Sequence, residues 1–372
     1  MEIPSYLKSA FARDKHPYLM WDGIQKIPYA INDVMMNTDT QGIIDLVKNR
    51  NKYYIVGCGT SLFAAQAATY AFQSVTKATA VALNAFEFNA YPPRDLEDCA
   101  VIGISHSGGT PIVYESMKMA KSKNIPVIGI TDKKESVLEE TADLCLITSL
   151  GTEPALPKTW SYIASLVRLY LISLAKSKSE GSDIESFIQQ LKSMVKTSQQ
   201  IIEQLEPEIQ MFANTQSNHE HYAIAGAGPL LSTANEGALK LTEAARVHSI
   251  GWEIDEAFHG AWVSTGENDW VVINAVQGPS MEKALKLAEG MKAIDANVWV
   301  ITSQPNRFKG VDRITGLPDQ YSEWLMPALA IIPLYLFTYY LSLSRGMNPD
   351  IMHLDDQRYM NARQVMRQTI KY

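Results

Sequence analysis

The feature that most limits what this chain can become is that it repeats itself. NKYYIVGCGTSLFAAQAA, beginning at Asn51, has the same pattern as HEHYAIAGAGPLLSTANEGALK, beginning at His219: an apolar run, a glycine turn, then a helical stretch. Further on, DCAVIGISHSGGTPIVYESMKMAKSKNIPVIGIT from Asp98 pairs with DWVVINAVQGPSMEKALKLAEGMKAIDANVWVIT from Asp269. Both pairs are offset by roughly 170 residues, far above a solenoid period and about the size of a domain. A length of 372 residues also leaves room for two units of ordinary size. Runs such as VVIN and VIGIT are apolar at consecutive positions, as strands covered on both faces must be, and helical stretches alternate with them. The expectation is a duplicated α/β unit, each copy a doubly wound parallel sheet flanked by helices. Ligands of such sheets sit outside the carboxyl ends of the strands.

The expected boundaries are an N-terminal helical segment at 1–35, a first unit at 36–205, a second at 206–345, and a tail at 346–372 that closes the site. Residues 171–212, rich in Lys, Ser, Gln and Glu, read as a helical connection between the units. Residues 324–344, WLMPALAIIPLYLFTYYLSLS, carry no charge and are long enough to span a bilayer. Pro327, Pro333 and several Tyr and Ser residues favour instead a buried helix at a domain or subunit contact.

A formal charge of −7 argues against general affinity for nucleic acid or an anionic membrane. Cys58, Cys99 and Cys145 have neither zinc-site spacing nor the even count of a disulfide framework, and read as cytosolic thiols. The first twenty residues lack the layout of a signal peptide, so a cytoplasmic location is expected. His219-Glu220-His221 puts two imidazoles on one face of a strand, but no third ligand is evident, and neither metal nor cofactor is expected.

After the strand CAVIGI comes SHSGGT, residues 105–110, and then a helix opening at Pro111. Glycines let backbone amides turn inward, and the hydroxyls of Ser105, Ser107 and Thr110 can donate to an anion at the positive end of the helix dipole. An acidic chain could hold a phosphate in this way without a basic patch. A plain helix cap is the alternative. The equivalent loop of the second unit, AVQGPS, has lost most of those hydroxyls, so the two units are expected to do different jobs. In the earlier turn, Gly57-Cys58-Gly59-Thr60-Ser61, the third glycine of a dinucleotide fingerprint is replaced by Leu62, and Ser61 is either a further phosphate donor or a cap.

PYLMWDGIQKIPYAI, GCGTS, SHSGGT, GTEPALPKTW and NEGALKLTEA with EAFHG, in that order, resemble the sugar isomerase (SIS) family in its double-module form. That form occurs in the isomerase half of glucosamine-6-phosphate synthase and in fructosamine-6-phosphate deglycases. The likeness implies two flavodoxin-like modules and a sugar-phosphate ligand. It implies that Ser61, Ser105, His106, Ser107 and Thr110 surround the 6-phosphate, with His106 serving through its backbone amide and its ring structural. Gly59, Leu156 and Glu256 are expected at the sugar. Lys240, Glu243 and His259 fall on the family's catalytic positions: the carboxylate that moves a proton between C1 and C2, and the histidine that opens the ring. Glu236, Lys240 and Glu243 share a helix face, and their plain reading is a surface ion pair. His248 is expected to face the site or support it, and the cluster Trp252, Glu253, Asp255 and Glu256 either to contact the sugar's amino substituent, Glu256 foremost, or merely to cover the helix end. In related enzymes the histidine comes from the partner subunit, so a homodimer or higher homo-oligomer is expected.

The sequence departs from the synthase-like members at the tail, where they form a Schiff base through a lysine. Here Ala362 or Arg363 stands at that place, and neither can form an imine. Lys158 and Lys371 are possible substitutes. The tail is closer to that of the deglycases. A glutamine-hydrolysing half is not expected, so release of an amine from a hexose 6-phosphate derivative is the expected direction. Simple aldose–ketose isomerisation and a non-catalytic sugar-phosphate sensor are the alternatives. A sensor that regulates transcription would need a helix-turn-helix, for which the first fifty residues are short and weakly basic.

Overall fold

In the computed structural model, residue 3 and residues 7–367 are described. The first sheet contains β1 (Lys52–Gly57), β2 (Thr79–Asn84), β3 (Cys99–Ile104), β4 (Val127–Thr131) and β5 (Leu144–Ile147). All pair in parallel, in the order β2-β1-β3-β4-β5. The second contains β6 (His221–Gly226), β7 (His248–Glu253), β8 (Trp270–Ala275), β9 (Asn297–Thr302) and β10 (Arg313–Gly316). Its order, β7-β6-β8-β9-β10, is the same topology met a second time. The duplication reaches single dihedral angles. Gly59 and Gly228, each at the start of the helix after its module's first strand, have φ/ψ of 55/−128° and 56/−131°. A side chain would resist that positive φ.

Alternate residues of each strand go to different cores. In the first sheet Ile55, Ile102 and Ile128 face a core shared by both modules, whereas Val56, Val101 and Val127 face one private to the first. The second sheet likewise divides Ile224 and Val272 from Ala225 and Ile273. In the shared layer, helix Thr60–Val75 packs against both Trp160–Ser179 and Pro229–Lys240. Its buried Ala64, Ala65, Ala68 and Ala71 suit close approach.

The uncharged stretch near the end forms helix Pro327–Ser344, and the apolar window that would suit a bilayer is 100% buried within the protein. Its three tyrosine hydroxyls are all bonded: Tyr335 donates to Glu236 (3.1 Å), Tyr340 to Glu206 (2.6 Å), and Tyr339 accepts from the Tyr18 amide (3.1 Å). Helix Glu185–Asn214 packs along it and continues without a break through the position expected to divide the units, 205/206, with Pro207 in its interior. The buried carboxylate of Asp350 accepts from the amides of Leu19 and Met20 at 2.9 and 2.8 Å, tying the tail to the first helices. Burial pushes that carboxyl up to about 6 against the pull of those two bonds.

Candidate functional site

The loop at 105–110 leaves β3 and enters helix Pro111–Ser122. The amide of Ser105 still donates to Ile130 of β4 (3.0 Å), so the first residue of the loop is an extension of the sheet. Ser105 Oγ and Thr110 Oγ1 lie 2.8 Å apart across the loop mouth, and the Ser107 hydroxyl accepts weakly from the Gly109 amide (3.4 Å). Thr110 precedes the helix but caps nothing with its side chain. Gly108 makes the turn possible: its φ is +64°, and a Cβ there would come within 2.4 Å of Ser136. Gly108→Ala is therefore expected to strain the loop by about 1–3 kcal/mol, read as a fall in urea-denaturation free energy on protein with an unchanged circular dichroism spectrum.

A cavity of about 570 Å³ opens over this loop, and both modules line it. Gly59, Ser61, Ser105, His106, Ser107 and Thr110 come from the first module, Leu156 from the crossing segment, and Lys240 and Glu243 from the second module. Lys240 and Glu236 are almost wholly buried, and the Glu243 side chain is 14% exposed, so the plain reading of a surface ion pair fails. Lys240 Nζ lies 3.6 Å from Glu236 and in closer contact with Glu243. Burial alone would lower the pKa of Lys240, but the two carboxylates outweigh it and hold the ammonium above its ordinary range. Helix Pro229–Lys240 gives way to a π-helical turn, Leu241–Ala245, that carries Glu243. Such turns recur at functional sites because they re-aim one side chain.

Burial raises Glu236 to about 7, partly countered by Lys240 and by hydrogen bonds from Thr60 and Tyr335. Between its ordinary 4.5 and about 7 the folded chain therefore keeps a proton that the unfolded chain has released. Stability contributed by this carboxyl is lost as pH rises through that window. Glu236→Gln is expected to gain on the wild type across it by more than about 1 kcal/mol in urea-denaturation free energy.

Behind the loop stands a group that sequence reading missed. His106 Nδ1 lies 3.1 Å from Asp132 Oδ2, and Asp132 Oδ1 lies 3.5 Å from Arg168 Nη1. Asp132 and Arg168 are at most 1% exposed, and His106 Nε2 is buried with no hydrogen-bond partner. Burial pushes the Asp132 carboxyl up, yet the bond and charge of His106 and the charge of Arg168 prevail and hold it below its ordinary value. Glu153 was missed as well. Its buried carboxylate accepts from Thr159 N, Thr159 Oγ1 and Ser161 N and so caps helix Trp160–Ser179. The only signal was an acidic residue shortly before a helix start.

Of the tail positions, Arg363 lines the cavity, carried there by helix Gln357–Met366. Lys158 lines it too, its ammonium held by the carbonyls of Glu153 and Ala155 at 2.7 Å and depressed by burial. Lys371 lies outside the described residues.

Residues 46–176 match the family described as SIS domain. The chain contains a SIS domain. Its two sheets match tandem SIS modules, and the C-terminal domain of glucosamine-fructose-6-phosphate aminotransferase from Francisella tularensis superposes with a TM-score of 0.84. That match is 23% identical and covers 90% of this chain and 98% of the other. Glucosamine-6-phosphate deaminase from Thermotoga maritima gives a TM-score of 0.71 at 23% identity, over 89% and 96% of the two chains. In sequence the chain is 30% identical over 351 residues to glutamine–fructose-6-phosphate aminotransferase (isomerizing) of Caldanaerobacter subterraneus, covering 90% of this chain and 57% of that protein. It thus spans a little over half the length of such relatives.

Within the second SIS module Glu243 and His259 do not meet in one chain. Glu243 precedes the start of β7 and His259 follows its end, and six strand residues separate two such points by roughly 20 Å. His259 and Glu256 are exposed and do not line the cavity within one chain. Trp252 and Glu253 lie at the end of β7, and Glu253 caps the short helix Ile254–Phe258 through the Glu256 amide. His248 begins β7 beside His221 in a separate hollow. His219 and His221 bond to Asn268 and Asp269, and among the described residues no three His, Cys, Asp or Glu side chains gather as metal ligands.

Proposed function

We propose that this SIS-domain protein is an enzyme acting at C1 and C2 of a hexose 6-phosphate derivative, and that it releases an amine. The observation that carries the reading is that the hydroxyl loop of the first module and the buried Lys240–Glu243 pair of the second line one cavity. Ser61, Ser105, Ser107 and Thr110 hold the phosphate, which fixes the far end of an open-chain sugar. With a fructosamine 6-phosphate, Glu243 removes a proton from C1 and an enaminol forms. Lys240 stabilises the negative charge that builds on the C2 oxygen. Returning the proton to C2 leaves an imine at C1, and water hydrolyses it to an aldose 6-phosphate and the free amine. His259 of a second copy opens the ring or protonates the leaving nitrogen, so the working unit is a homodimer. Arg363 offers no amine for covalent capture, in keeping with acid/base chemistry alone.

The test is to incubate the protein in D2O with fructosamine 6-phosphates, glucosamine 6-phosphate and fructose 6-phosphate and to follow products by NMR. Amine release with deuterium at C1 or C2 is the expected result. Turnover of fructose 6-phosphate alone would assign simple isomerisation instead. Binding with no turnover of any of them would leave a sensor.

A further inference from the structure

His106 interrupts a run of hydroxyl and glycine residues, and its surroundings restrict what its ring can do. Its backbone carbonyl accepts from the Asp132 amide at 3.1 Å, which fastens the residue to the end of β4. Its side chain is 8% exposed, it lines the cavity with Ser61, Ser105, Ser107 and Thr110, and its Nε2 has no partner. On the other side Nδ1 meets Asp132, whose second oxygen faces the guanidinium of Arg168. Arg168 is 1% exposed, so its charge is applied inside the protein and is little screened.

An ionised carboxylate only accepts hydrogen bonds, so Nδ1 must be the donor to Asp132. That leaves Nε2 as a bare lone pair in the neutral ring and as an N–H only in the imidazolium. A phosphate dianion offers acceptors and no donor. The ring can therefore bond to the dianion in one protonation state alone.

We propose that His106 grips the ligand's phosphate through its side chain, as a cation positioned by Asp132 and Arg168, and that binding takes up a proton at Nε2. This rests on the sugar-phosphate reading of the cavity and adds a proton linkage to it. The other charges that face the ring's surroundings are Glu153 and Lys158 from the crossing segment, Lys240 and Glu243 from the second module, and Arg363 and Arg367 from the tail. All of them, and the ligand's own ionisation, are present in wild type and in a His106 variant alike. The ratio of the two affinities therefore retains only what depends on the His106 ring.

The experiment measures fructose 6-phosphate binding by calorimetry for wild type and His106→Gln from about pH 5.5 to about pH 8.5, the range in which imidazoles titrate. Wild type is expected to bind about tenfold more tightly at the acid end and within about twofold at the alkaline end. Asp132→Asn, checked for folding by circular dichroism, is expected to lose most of the same pH dependence. In buffers of differing ionisation enthalpy, fructose 6-phosphate binding is expected to take up more protons with wild type than with His106→Gln. A ratio that is constant with pH, or equal proton uptake by the two proteins, overturns the proposal and leaves a neutral ring that accepts a sugar hydroxyl or merely fills space. No binding by wild type at any pH overturns the sugar-phosphate reading and this inference with it.

Discussion

Glu243→Gln should lower turnover by about 10²–10⁴-fold, the usual contribution of a positioned general base, while leaving ligand affinity within about threefold. The substitution keeps the shape of the side chain and its place on the π-helical turn. Lys240 loses one of its two carboxylates but retains Glu236, so no buried ammonium is left without an anionic neighbour. The phosphate loop lies in the other module and is untouched. The measurement is single-turnover NMR together with deuterium exchange at C1. Exchange that persists at the wild-type rate would show that another group carries the proton. A large fall in affinity with an unchanged rate would make Glu243 a binding residue.

The second large effect concerns the distance along β7. Because Glu243 and His259 stand at opposite ends of that strand, Glu243→Gln and His259→Asn should each be nearly inactive alone yet recover activity when mixed and allowed to exchange subunits. In a mixed dimer one site holds both substitutions and the other holds neither. Random exchange makes half the dimers mixed, so about one quarter of wild-type activity is expected. A mixture as inactive as its components would place the histidine outside the chemistry, or within its own protomer's reach after a rearrangement.

The duplication made most of the fold legible. Strand runs apolar on both faces and two matched glycine turns lead directly to two sheets of one topology, and the hydroxyls of residues 105–110 lead to the cavity over them. Asp132 and Arg168 were not legible, because only the pairing of β3 with β4 and the packing of helix Trp160–Ser179 bring them to His106. The depth of Glu236 and Lys240 was equally hidden. Their spacing gives a shared face, but what covers that face is helix Pro327–Ser344, roughly a hundred residues later. A short interval between Glu243 and His259 looks like proximity in a sequence. A strand lying between them turns it into separation.

Helix Pro327–Ser344 bears on whether the two copies can be separated. It is contributed by the second copy, yet its partners include the connecting helix and the opening segment, at Glu206 and Tyr18. Neither copy retains a complete interior when removed from the other. Cutting the chain between the two would leave one apolar face of each sheet open to water.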